Sequence, residues 1–118
     1  MGTFFHPITL VAGGGDARET VEALVDTGST FSTFPASMLR RLGVRPHRVV
    51  RLRLANGQIE QQALGQLRVE LDGVEETILC IFGASDAPPI IGAHTLEAFL
   101  LAVDPVGRRL VPVEGYWV

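Results

Sequence analysis

The sequence contains no lysine and only one cysteine, Cys80. A lone thiol excludes an internal disulfide, so the fold must hold by burial, and nothing in the cysteine usage argues for an oxidising compartment. Long hydrophobic runs are absent too: the longest, Ala98 to Val103, is far too short to cross a bilayer, which excludes a membrane-spanning helix. Positive charge rests on ten arginines against thirteen acidic residues, a net charge of -3, and no basic block supplies the electrostatic footprint of a nucleic-acid binder. Nucleic acid is therefore excluded as the main partner. Met1 to Pro7 lacks the charged leader and apolar core of a secretory signal, and Gly2 is followed by His6 where an acylation motif requires Ser or Thr. The expected compartment is the cytoplasm. A chain of 118 residues leaves no room for two full domains, so one soluble globular domain over residues 1–118 is expected.

What is present is a succession of short Val-, Ile-, Leu- and Phe-rich runs, broken by Gly, Pro, Asn or Asp about every ten residues. That pattern predicts a mostly β architecture. A first strand over Phe5–Val11, a turn at Gly13–Asp16 and a second strand over Thr20–Val25 form an N-terminal hairpin that delivers Asp26 at its end. Pro35 to Gly43 predicts a short helix with Pro at its first position, Gly at its end and Leu39 and Leu42 facing the core. Period-two alternation follows: Leu52 and Leu54 between Arg51 and Arg53, then Leu67, Val69 and Leu71 between Arg68 and Glu70. Asn56-Gly57 and Asp72-Gly73 suit type I′ turns, predicting two successive hairpins. Ile90-Ile91-Gly92 reads as a short buried strand, Thr95–Leu101 as a helix ended by Asp104-Pro105, and Arg109–Val113 as a last strand before the tail Tyr116-Trp117-Val118.

The chemically informative segment is Ala23-Leu24-Val25-Asp26-Thr27-Gly28-Ser29-Thr30, an apolar strand running into an acid, a hydroxyl residue and a glycine. At average usage an Asp-Thr-Gly tripeptide arises by chance in roughly one chain of this length in forty. Taken alone it is equally well an Asx-type turn, with Asp26 accepting backbone N–H groups and Gly28 supplying positive φ. Ile90-Ile91-Gly92 lies about sixty residues downstream, with the Asn56-Gly57 hairpin between. In these residues the chain resembles the retropepsin-like aspartic proteases, and their bacterial and cellular members more than the viral ones. The resemblance spans Phe5 to Leu110 in order of elements.

That resemblance implies a closed acid-protease barrel with one or two short helices, active as a homodimer, that hydrolyses peptide bonds. It implies that Asp26, Thr27 and Gly28 are catalytic, with Thr27 bonding across a two-fold axis and Gly28 keeping the loop free of a Cβ. Ser29, Thr30, Asn56, Gly57, Ile59 and Ile91 are then the expected substrate contacts, Ser29 also reaching the outer oxygen of Asp26 and Ile59 packing on substrate or the opposing flap. The flap is the hairpin Val50–Ala63, whose polar tip has little apolar surface to pin it; an ordinary solvent-exposed hairpin is the alternative. Attack of water on an amide needs a base and an acid within reach of one oxygen. This chain has one Asp-Thr-Gly and no second copy, so both carboxylates require two chains.

Two departures from the viral pattern are visible. Thr30 and Ala93 stand where the viral enzymes carry an acid and an arginine that pair with each other, and His94 stands where such families often have Asn or Asp. The competing reading keeps the fold as a non-catalytic dimerisation or peptide-binding module; a third, an unrelated β-barrel binding protein, makes the motif coincidence. No metal or other cofactor is expected: His6, His47, His94 and Cys80 have no ligand spacing, and Gly13–Gly15 lacks the lysine and helix of a phosphate loop. Arg40, Arg41, Arg108 and Arg109 read as solvated charge. The aromatic tail either packs on a partner chain or folds back on its own.

Overall fold

Alternating apolar positions build two facing strands, β1 (Phe4–Val11) and β2 (Arg18–Val25), which pair antiparallel from Phe4↔Val25 to Val11↔Arg18. The computed structural model describes residues 3–118. There follow β3 (Ser32–Pro35), α1 (Ala36–Arg41), β4 (Pro46–Arg53), β5 (Ile59–Leu71), β6 (Val74–Gly83), β7 (Ile90–Ile91), α2 (Ala93–Ala98), β8 (Leu101–Asp104) and β9 (Arg109–Pro112). The main sheet has the order β1-β2-β7-β3-β6-β5-β4, and it curls so that Thr9–Val11 of β1 also pair with Arg68–Glu70 of β5. β4 pairs only with β5 and is an edge; β8 and β9 form a separate hairpin.

The curl encloses one apolar core. Ile8 and Leu10 from β1, Phe34 from β3, Leu39 from α1, Val69 and Leu71 from β5 and Ile91 from β7 are all essentially inaccessible. Leu67, Val69 and Leu71 are buried in alternation with Arg68, as the period-two pattern requires. Val50, Leu64 and Ile81 form a smaller cluster beneath the β4–β5 hairpin, packed against Phe31, Leu52 and Leu79.

Several sequence expectations change in detail. Pro35 ends β3 and caps α1 instead of opening it, whereas Gly43 ends the helix as expected, at φ 82°, with its N–H on Arg40 O and the Val44 N–H on Leu39 O. Asp72 and Gly73 both take positive φ, 51° and 84°, the type I′ pattern. At Asn56-Gly57 only Gly57 does so, at φ 90°, and the Gly57 N–H bonds Leu54 O while the Leu54 N–H bonds Gln58 O. The loop is therefore a three-residue turn, not type I′, and Leu54 lies beyond the end of β4.

The helix expected over Thr95–Leu101 is α2, Ala93–Ala98, and Leu101–Asp104 is a strand. The helix stops at Leu100, which adopts φ 54° without being glycine, so no glycine marked the stop. Asp104 starts the β8–β9 turn. The Gly107 and Val106 N–H groups and Arg109 Nε donate to its carboxylate, and these contacts, the Gly107 amide first, hold its pKa below the usual aspartate value. The tail does not fold back: Tyr116 and Trp117 are 99% and 101% exposed, which excludes the intrachain alternative for these rings.

Cys80 sits on β6 with no exposure, and burial pushes its thiol up to about 12. The thiolate is the reactive form. A thiol-specific disulfide reagent at about pH 8, below even the ordinary cysteine range, is therefore expected to leave native protein unlabelled and to modify one thiol per chain after denaturation. Stoichiometric labelling of native protein without loss of secondary structure would contradict the burial.

Candidate active site

Asp26 follows directly on β2, and its position is set by β7. The two strands pair in parallel at Leu24↔Ile90 and Val25↔Ile91, and the ladder continues past them: the Leu24 N–H donates to Pro89 O at 2.9 Å and the Asp26 N–H to Ile91 O at 3.0 Å. The backbone then turns. The Gly28 N–H donates to Asp26 Oδ1 at 2.9 Å and the Ser29 N–H to Asp26 O at 3.2 Å. Gly28 does not occupy the left-handed region; a Cβ there would lie 3.2 Å from Asp26 Oδ1, so the missing side chain leaves room for the amide to reach the carboxylate. The result is a half-buried carboxylate with one oxygen fixed by a main-chain donor.

The far side of the loop is fastened to the start of α2. The Ala93 N–H donates to Ser29 O at 2.7 Å and the His94 N–H to Thr30 O at 2.9 Å. Ser32 Oγ accepts the Gly92 N–H at 3.1 Å and lies 2.6 Å from Thr95 Oγ1; Ser32 and Thr95 are wholly buried. Gly92 is required by this approach. A Cβ there would sit 2.8 Å from Ser29 O and closer still to the Phe31 carbonyl, both backbone groups that cannot yield cheaply. With Thr30 and Ala93 both uncharged, the two segments are tied by neutral hydroxyls and main-chain bonds.

Ser32 and Thr95 were not legible as site residues. Each is a common hydroxyl with no motif around it, and only tertiary contact makes them a pair.

The loop and the β4–β5 hairpin bound a cleft of about 350 Å³, with Gly28 to Phe31 and Thr33 on one side, Arg51 to Leu54 on the other and Ile81 beneath. Gly28, Ser29 and Thr30 among the expected residues therefore line one cavity. Asn56, Gly57 and Ile59 do not line it in the single chain. Asn56 Oδ1 accepts the Gln58 N–H, Gly57 O accepts from Arg53, and Ile59, on β5 outside the cleft lining, pairs with Arg53. β4 supplies the hairpin's share of the lining instead.

Two further expectations are corrected. Ile91 is fully buried, so its side chain is core and its contribution is the carbonyl that receives Asp26. The polar contact on Asp26 Oδ1 comes from the Gly28 amide, and Ser29 engages the site through its backbone. Thr27 is exposed; His94 is exposed and lies against Phe31, ring centroids 5.8 Å apart. Among the described residues no three His, Cys, Asp or Glu side chains converge to hold a metal ion.

Ser32→Ala leaves the buried Thr95 hydroxyl and the Gly92 amide without their partner and is expected to cost about 1–3 kcal/mol. Adding Thr95→Val removes one orphan, so the double variant should be less destabilised than the sum of the singles. Gly92→Ala is expected to cost more than either single change, because backbone must move. Urea denaturation of the variants checks this order; strict additivity of Ser32→Ala and Thr95→Val would contradict the hydroxyl pair.

Comparison with known proteins agrees with this geometry. A family model described as aspartyl protease matches residues 9–86. No match was found among curated protein sequences. Among solved structures, simian foamy virus (mac) protease superposes with a TM-score of 0.57 at 15% identity, covering 80% of this chain and 92% of that one. A retropepsin-like aspartic protease from Rickettsia conorii gives 0.54 at 19% identity, covering 87% and 88%. The foamy viral protease–reverse transcriptase, solved with an RNA/DNA hybrid, gives 0.58 at 12% identity over 93% of this chain but only 13% of its own. At these identities the structural matches establish a retropepsin-like fold, and the family model establishes the lineage: this chain belongs to the aspartyl protease family.

Proposed function

We propose that the protein is an aspartic endopeptidase in which Asp26 from each of two chains activates one water for attack on a peptide bond. The observation that carries the reading is the fixed carboxylate: Asp26 is anchored by β7 through its N–H and by the Gly28 amide through Oδ1, in the loop whose next residues, Gly28 to Phe31, line the cleft. One carboxylate cannot serve as both base and acid in the same step, and the sequence holds a single Asp-Thr-Gly. A second copy supplies the other. The exposed Thr27 beside Asp26 and the solvent-facing Tyr116 and Trp117 are the surfaces such a dimer would cover. We read the ring β1-β2-β7-β3-β6-β5, returned to β1 through the β1–β5 pairing, as the closed barrel that carries the loop, and the β4–β5 hairpin as the flap.

The electrostatics of the dyad set its protonation. Two carboxylates about 3 Å apart in an effective dielectric near 20 repel by roughly 5–6 kcal/mol, so such a pair loses its two protons in separate steps. Between those steps the pair holds one proton, and one member is base while the other is acid. Activity should therefore peak below neutral pH and fall as the second proton leaves.

Asp26→Asn is expected to lower cleavage of a peptide library by about 10²–10⁴-fold or more. Wild-type and variant cleavage measured across the pH range, with sedimentation on the same samples, tests the reading. Equal residual activity in the two proteins, a rate still rising above about pH 8, or a strict monomer at high concentration would overturn it; peptide binding without cleavage would favour the non-catalytic module.

A further inference from the structure

The cleft beside Asp26 is chemically one-sided. Arg51 and Arg53 line it from β4, while the loop contributes Ser29, Thr30 and Thr33, and no carboxylate lines it. Among the described residues neither arginine has an ion-pair partner; the arginines that do are Arg18, Arg41, Arg68 and Arg109. One Arg53 N–H is committed to Gly57 O at 2.9 Å, which steadies the side chain across the hairpin turn and leaves its other donors open. The nearest acid along the hairpin, Glu60, pairs with Leu52, accepts from Gln62 and does not line the cleft.

Strand geometry places the two arginines on the same face of β4, about 7 Å apart along the strand. β4 is also the free edge of the sheet, and four consecutive residues, Arg51 to Leu54, run along the cleft. An extended peptide can pair with that edge while its alternate side chains pass the arginines. A free carboxylate side chain is the group that matches unpaired guanidinium donors.

We propose that Arg51 and Arg53 make this cleft selective for acidic peptides, reading an Asp or Glu side chain in the substrate segment that lies along β4. This rests on the endopeptidase reading for its place in catalysis, though not for the binding itself. Arginines that merely keep an exposed edge from pairing with other strands would show no such preference.

Peptide pairs identical except for Glu against Gln at single positions around the cleaved bond test the inference, at about pH 6, where glutamate is ionised. The expected Glu/Gln ratio of kcat/KM is at least about fivefold at one or two positions, weakening with added salt. The ratio should fall toward one in R51Q/R53Q and partly in R51Q, which leaves the Arg53 contact to the hairpin in place. Arg40→Gln removes a charge on α1, outside the cleft lining, and should keep the wild-type ratio. A ratio of one in wild type, persistence in R51Q/R53Q, or equal loss in Arg40→Gln overturns the proposal. Fluorescence anisotropy of the same labelled peptides on Asp26→Asn protein reads the preference without cleavage. A wild type that cuts neither peptide thus defeats the protease reading, while the binding ratio still decides this one.

Discussion

The site depends on one close approach: the backbone at Gly92 lies so near the carbonyls of Ser29 and Phe31 that no side chain fits between them. From that contact follow the Ala93 and His94 amide bonds to the loop, the Ser32–Thr95 hydroxyl pair and the alignment of β7 beside β2. The Asp26 loop is thus held from two directions, by β7 through the Asp26 N–H and by the start of α2 through residues 29–32. A loop fastened in this way keeps its carboxylate in place without needing substrate to order it.

The two fastenings differ in kind. The backbone bonds fix where the chain goes, whereas the buried hydroxyl pair satisfies groups that would otherwise be left dry, a role in which removal of one member costs more than the contact itself provides. A neutral hydroxyl pair carries a smaller desolvation penalty than a charged pair would in the same buried place. No fixed charge enters this fastening, and the arginines of β4 are the charged residues that line the cleft.

Much of the frame could be read in advance because local chemistry and tertiary structure agree there. Leu67-Arg68-Val69 alternation, the Asp72-Gly73 turn and the Gly43 helix stop each announce themselves. The misreadings arise where tertiary context overrides a local signal. Leu100 takes a left-handed conformation that favours glycine, which hid the end of α2 and the start of β8. Asn56-Gly57 has the composition of one turn and the hydrogen bonds of another. In the site, Asp26, Thr27 and Gly28 are marked by their sequence, but Ser32, Thr95, Arg51 and Arg53 acquire meaning only through residues far along the chain. Ile91 shows the reverse case, a motif residue whose side chain is ordinary core.

The free margin of β4 has a colloidal consequence. Its outer N–H and C=O groups could template growth by other molecules, and an apolar strand in that place would invite fibrils. Four arginines from Arg45 to Arg53, none among the described residues in an ion pair, make two such margins repel on approach. The same charge thus guards an unsealed sheet margin beside the cleft against edge-to-edge growth.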